Sequence, residues 1–339
     1  MAHRGGILED SREIGLAAWC EAQTGYPQTQ LEVVSGDASF RRYFRASDGQ
    51  RSLIAVDCPP DKEDMRPFLL VADAYQAANI PVPLVLNVDL KQGYMLQTDL
   101  GHTVLLSKLQ AQNARQYYVQ ALSILPRVMG VTATAEGDLP RFDRALLDRE
   151  LALFKDWLLM QHLDLDWDDR DDELWSEFCE LIVSNAFAQP QVGVHRDYHS
   201  RNLMVTPKGL GVIDFQDAVI GPITYDAVSL LRDCYIEWPD DLVDELSQRL
   251  RSQLQEDGLL SADIEPEQWQ RWFDWMGLQR HTKAAGIFAR LAHRDDKTGY
   301  LKDVPRTLGY LSKVSARYPE LSNYHQWLTQ RIIPKWENS

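Results

Sequence analysis

The chain has 339 residues, 45% of them apolar and 25% charged, the balance of a globular protein with room for two lobes and a sizeable core. A formal net charge of −15 disfavours nucleic acid and anionic membrane surfaces as main partners, because both would be repelled. No apolar run is long enough to span a bilayer and the first residues lack a secretory core. Four scattered cysteines without a Cys-x-x-Cys pair fit reduced thiols rather than disulfides or zinc, so the cytoplasm is the expected compartment.

In chain order, Ile7, Leu8, Ile14, Ala17 and Ala18 recur at helical spacing and predict an amphipathic helix over Ile7–Gln23. Leu31–Val34 reads as a strand running into Gly36-Asp37-Ala38-Ser39-Phe40 and an alternating stretch, Arg41–Arg45. Small residues at such a turn let backbone amides approach phosphate oxygens, although an ordinary hairpin has the same pattern. Leu53–Val56 is the next strand, stopped by Pro59-Pro60. Pro67–Asn79 is helical in pattern, and Pro81 and Pro83 end it. Leu84–Val88 and Tyr94–Gln97 complete a β-rich front, and Thr98–Gly101 breaks the strand pattern. We expect an N-terminal lobe over residues 1–98, a hinge at about 97–101, and a helical C-terminal lobe over 102–339.

Helices are expected at Val104–Leu125, Arg144–Gln161, Leu174–Ala188, Tyr225–Ile236 and Asp241–Glu256, with the acidic Asp164–Glu173 as a solvated loop. In Trp269–His293 an apolar arc (Trp269, Phe273, Met276, Ala284, Ile287, Phe288, Leu291) has Arg280 at its centre and Lys283, Arg290 and Arg294 on its flank. Cations there need partners, which are either carboxylates of the same lobe or an anionic ligand.

The most informative stretch is His195-Arg196-Asp197-Tyr198-His199-Ser200-Arg201-Asn202, an H-x-D-x-x-x-x-N pattern flanked by short strands. A further strand ends in Ile213-Asp214-Phe215, and Gly221-Pro222 and Asp226 precede a helical run. Phosphoryl transfer asks for such a set: one carboxylate to orient the attacking hydroxyl, and an amide oxygen with a second carboxylate for magnesium.

These motifs, with the second histidine His199, resemble the aminoglycoside phosphotransferase and choline kinase-like family. The resemblance implies an α+β, two-lobed protein-kinase-like fold using ATP and Mg²⁺. It implies Asp197 as catalytic base, Asn202 and Asp214 as magnesium ligands, Gln97–Asp99 as the adenine hinge, and Asp226 as a brace for the loop beside His195 and His199. Gly36, Ser39, Phe40 and Arg41 would cover the nucleotide. A closer similarity rests on Gly36–Tyr43, Pro81-Val82-Pro83, Asp99-Leu100-Gly101, Asp214–Ala218 and a tail from Gln279-Arg280-His281 through Tyr300. It is to bacterial kinases of the anomeric hydroxyl of N-acetylmuramate and N-acetylglucosamine, and implies a small amino-sugar partner and a role in cell-wall recycling. Arg280, Lys283, Arg290 or Arg294 would then meet the lactyl carboxylate. Protein kinases carry a phosphate-binding lysine on the third strand, where Asp57 falls here, and its helix glutamate falls near Phe68. Arg41, Arg42 or Lys62 are the candidate replacements. An aminoglycoside- or choline-like acceptor, or a catalytically inactive nucleotide-binding module, remain the alternatives.

Overall fold

A computed structural model describes residues 6–25, 30–35 and 40–338, so the expected Gly36 and Ser39 contacts lie outside the described residues. The chain divides into two compact units: residues 1–104 with 133–137 and 204–217, and residues 105–132, 138–203 and 218–339.

The first unit is an antiparallel sheet in the order β1-β2-β3-β5-β4, made of β1 (Gln30–Ser35), β2 (Arg42–Ser47), β3 (Ser52–Asp57), β4 (Val85–Asp89) and β5 (Tyr94–Thr98). Helix α1 (Gly6–Thr24) lies on this sheet, with Leu16 and Cys20 buried against Phe44, Ala46, Ala55, Tyr94 and Leu96. A side chain at Gly15 would come 2.7 Å from the Tyr94 hydroxyl, which donates to the Arg12 carbonyl at 3.1 Å. The buried face is therefore centred on Leu16 and Cys20, and Ile14 is left 64% exposed, which corrects the expected apolar arc.

Asp57, at the end of β3, is fully buried, and register opposes it to Arg42 on β2. Arg42 Nε (3.0 Å) and Arg12 Nε (2.9 Å) both donate to its carboxylate, so the negative charge expected at the lysine position is neutralised from two sides. Helix α2 (Arg66–Ala77) starts on Pro67 and buries Phe68, Val71, Ala72 and Tyr75. The hairpin Leu203–Thr206/Gly209–Val212 is tied in by Val212 N–H to the Pro81 carbonyl at 2.7 Å. Its continuation packs Phe215 on Phe68 (4.8 Å between ring centroids) and Tyr75 (5.5 Å).

The second unit contains α3 (Ala114–Leu122), α4 (Leu125–Met129), α5 (Arg144–Leu153), α6 (Asp169–Phe187), α7 (Tyr225–Leu231), α8 (Asp240–Glu256), α9 (Pro266–Arg294), α10 (Val304–Ser315), α11 (Ser322–Trp327) and α12 (Ile333–Glu337). A two-stranded ladder, Gln191–Val194 with Val219–Pro222, flanks the histidine-led loop. The single helix expected over Val104–Leu125 is a 3₁₀ turn followed by α3 and the start of α4, because Pro126 opens a new first turn there. α9 is the axis of this unit and is buried on almost every side. At Gly286 a side chain would come 2.3 Å from the Leu153 backbone, the point where α5 gives way to a π-helical run, Phe154–His162. The acidic segment is more than a solvated loop. Asp168 caps α6 reciprocally with Asp171, and buried Asp171 accepts from Trp327 Nε1 at 2.7 Å and Arg331 Nη2 at 2.6 Å.

Candidate active site

The loop His195–Asn202 is held by two buried aspartates at helix ends. Asp226, in the first turn of α7, accepts the backbone N–H groups of His195 (2.7 Å) and Arg196 (3.0 Å). Asp233, just beyond α7, accepts from Ser200 N–H at 3.0 Å and from its hydroxyl at 2.5 Å. Between these anchors Arg196 adopts φ of 76°, a left-handed conformation that a non-glycine residue holds only when its surroundings over-determine it. Three contacts do so: its N–H goes to Asp226, its carbonyl accepts from Arg280 at 2.7 Å, and its guanidinium pairs with Glu150 at 2.6 Å.

This bend presents Asp197. Its N–H meets His195 Nδ1 at 3.3 Å and its carbonyl accepts from the Asn202 side-chain amide at 3.0 Å, which fixes Asn202 within the same turn. Enclosure alone would raise the Asp197 carboxyl, but Lys283, His199, Arg280 and Arg196 outweigh it and hold the group well below the ordinary carboxylate range. Asp197 is thus ionised at neutral pH. Burial instead pushes Asp226 up to about 7, against the pull of its two backbone N–H bonds and Arg280.

Glu150 on α5 is the hub behind the loop, although the sequence reading did not single it out. Its carboxylate accepts from Arg196 at 2.6 Å, Lys283 at 3.0 Å and Gln279 at 2.8 Å, and these cations hold it below its usual pKa despite burial. Lys283 also reaches the Tyr225 hydroxyl at 3.2 Å, and Arg280 lies over the Tyr225 ring at 4.8 Å. Both α9 cations are buried and paired with the loop and its supports. Burial, with Arg294 beside it, pulls the Arg290 guanidinium pKa down against Asp295, and its Nε is a buried donor without a partner among the described residues. No local pattern marks Glu150 or Asp233, since each is defined by partners distant in sequence.

Within the β-rich unit, Asp214 has φ of 66° and its Oδ1 accepts from Gln216 at 3.0 Å. Arg41 is buried, pairs with Glu63 at 2.6 Å and lies over Phe68 at 5.6 Å. Burial pushes the Tyr43 phenol up to about 12, against Arg41, with Asp214 adding to the rise. Arg41, Tyr43 and Asp214 therefore share one electrostatic neighbourhood. Arg42 is spent on Asp57 and Lys62 is exposed beside Asp61, so of the three candidate cations only Arg41 belongs to this neighbourhood. At the expected hinge, Asp99 is bound by Arg45 at 2.6 Å and by Gly101 N–H at 2.8 Å, so its side chain is structural. Gln97 is buried in β5 with its Oε1 unpartnered among the described residues. Phe40 is 63% exposed. The described residues hold no cluster of three or more His, Cys, Asp or Glu suited to a metal. Oxygen donors such as Asp214 and Asn202 nevertheless suit magnesium, which takes one or two protein ligands beside water and phosphate.

A family model described as the phosphotransferase enzyme family matches residues 30–272. The chain is 43% identical to an N-acetylmuramate/N-acetylglucosamine kinase of Pseudomonas aeruginosa over 304 residues, covering 89% of this chain and 88% of that one. It is 41% identical to a protein of the same name from Neisseria meningitidis, covering 95% and 96%. Among solved structures it is similar in fold to an ADP-bound aminoglycoside phosphotransferase (TM-score 0.60, 15% identity, 88% and 98% covered). An ethanolamine kinase of Plasmodium vivax is also similar (TM-score 0.64, 11% identity, 91% and 90% covered).

Proposed function

The chain belongs to the phosphotransferase enzyme family, and within it we propose an ATP-dependent kinase of the C1 hydroxyl of N-acetylmuramate and N-acetylglucosamine. The observation that carries a transfer reaction is the ionised Asp197, set in a loop bent at Arg196 and anchored at both ends. The relatives' names support the sugars. The C1 position, the cytoplasm as compartment and a part in recycling cell-wall sugars are this reading's finer terms.

Asp197 accepts a hydrogen bond from the acceptor hydroxyl and takes its proton late, as phosphorus–oxygen bond formation proceeds. Its depressed pKa keeps it unprotonated while it orients the hydroxyl, so its main contribution is positioning. Asn202 and Asp214 are the assigned magnesium ligands, and magnesium there would neutralise phosphate charge. Arg41, steadied by Glu63, is the assigned replacement for the third-strand lysine at the phosphates. Residues Gln97–Asp99 are the assigned hinge that meets adenine, largely through backbone groups. Lys283 and Arg280 act on Asp197 by setting its charge state and place.

The test is transfer of labelled γ-phosphate from ATP to each sugar, followed by mild acid. A C1 phosphate is released under conditions that spare a phosphate ester at C6. Acid-stable product would remove the C1 assignment while leaving a sugar kinase.

A further inference from the structure

The catalytic loop carries two arginines with opposite surroundings. Arg196 is neutralised by Glu150, whereas no carboxylate among the described residues pairs with Arg201, one residue before Asn202. The Arg201 guanidinium lies 4.8 Å from the ring centre of Tyr235 and 5.8 Å from that of Tyr300. Phe288 backs this wall, stacked on Tyr300 at 5.9 Å and tilted against Tyr235 at 6.1 Å. The assembly is continuous with the reacting carboxylate, since His199 meets Tyr235 edge-on at 5.4 Å and acts electrostatically on Asp197. Arg201, Tyr235 and Tyr300 are each partly exposed, so the guanidinium is held but not enclosed.

An arginine braced on aromatic rings keeps its in-plane N–H edge for a planar anion, and a carboxylate matches that edge in bidentate fashion. We propose that Arg201, positioned by Tyr235 and Tyr300, recognises the carboxylate of an acidic sugar substrate and so sets the preference for N-acetylmuramate over the uncharged N-acetylglucosamine. This rests on the proposed function and names the specificity residue of the same site. Arg280 and Lys283 are buried and committed to the loop and its supports, whereas Arg201 is a partly exposed cation of the loop itself.

The experiment compares the full chain with Arg201→Ala and Arg201→Lys, measuring kcat and KM for both sugars at saturating ATP, with thermal unfolding as the fold control. The ratio of kcat/KM for N-acetylmuramate over N-acetylglucosamine should fall about 10- to 100-fold in Arg201→Ala, mainly through KM. Arg201→Lys, which keeps the charge but not the planar edge, should recover part of it. A ratio within about twofold of wild type in both variants overturns the inference. So does an equal loss on both sugars with a raised KM for ATP, which would assign Arg201 to phosphate. Should the unmodified protein phosphorylate neither sugar, the proposed function itself falls.

Discussion

Neutralising Glu150 tests whether the loop owes its conformation to a buried charge network. Glu150→Gln keeps volume and an acceptor but removes the anion shared by Arg196 and Lys283, so no cavity cost is added. Glu150 is 4% exposed, so the two cations it leaves behind lose a partner in a site with little water to replace it. Removing one member of a buried ion pair costs about 3–5 kcal/mol, and the retained amide places this case near about 3 kcal/mol. Of the ten tryptophans, all but Trp19 lie in the helical unit, so intrinsic fluorescence during urea unfolding reports this loss. With its guanidinium released, Arg196 loses one of three restraints on its left-handed backbone. We expect kcat to fall by about tenfold to a hundredfold through misplacement of Asp197. Because Glu150's native pKa lies below its ordinary 4.5, its contribution is full above that pH and is lost on acidification, so the two proteins should converge in stability below it. Exposed Glu180, paired with exposed Arg144, is the control, and Glu180→Gln should change little. A Glu150→Gln protein within about 1 kcal/mol of wild type and with undiminished kcat would refute the reasoning.

Asp197→Asn should lower kcat by about 10²- to 10⁴-fold with little change in ATP affinity, measured by steady-state kinetics and equilibrium nucleotide binding. Near-normal turnover would sink its assignment. Asp226 has a native pKa raised to about 7 from 3.8, so the folded state holds its proton more tightly and stability falls as pH rises through that window. Asp226→Asn should flatten this component of the stability–pH curve, and an unchanged slope contradicts it. Arg41→Ala should raise KM for ATP and lower kcat by about tenfold or more, while Arg41→Lys retains part of both. Asp57→Asn should destabilise the sheet unit by about 3 kcal/mol, followed at Trp19, which packs 5.9 Å from Tyr94. Equal stability there would mean that Arg12 and Arg42 do not need their shared carboxylate.

Legibility followed the range of the interactions. The strands were readable because alternation is local, and α9 because its period runs over many turns. The loop was readable because five residues of spacing separate Asp197 from Asn202 within one turn system. Periodicity alone could not choose between Ile14 and Leu16 as the buried edge of α1, since the choice depends on how closely Gly15 lets the helix approach Tyr94. Composition made Asp171 look solvated, while Trp327 and Arg331, far along the chain, bury it. Asp57 stood at the position of a kinase lysine with no partner legible in the sequence, and Arg12 and Arg42 close on it from elements apart in the chain. The cations of α9 presented the same ambiguity. Their sequence position cannot separate pairing with Glu150 from waiting for a substrate, and the structure gives Lys283 to Glu150.

The most direct test of the account is ATP consumption with N-acetylmuramate, N-acetylglucosamine, glucose, choline and kanamycin, with each product read by phosphorus NMR. The account predicts turnover with the two N-acetyl sugars and a glycosyl phosphate resonance from each. Turnover confined to choline or kanamycin, or a sugar ester at any other hydroxyl, contradicts it.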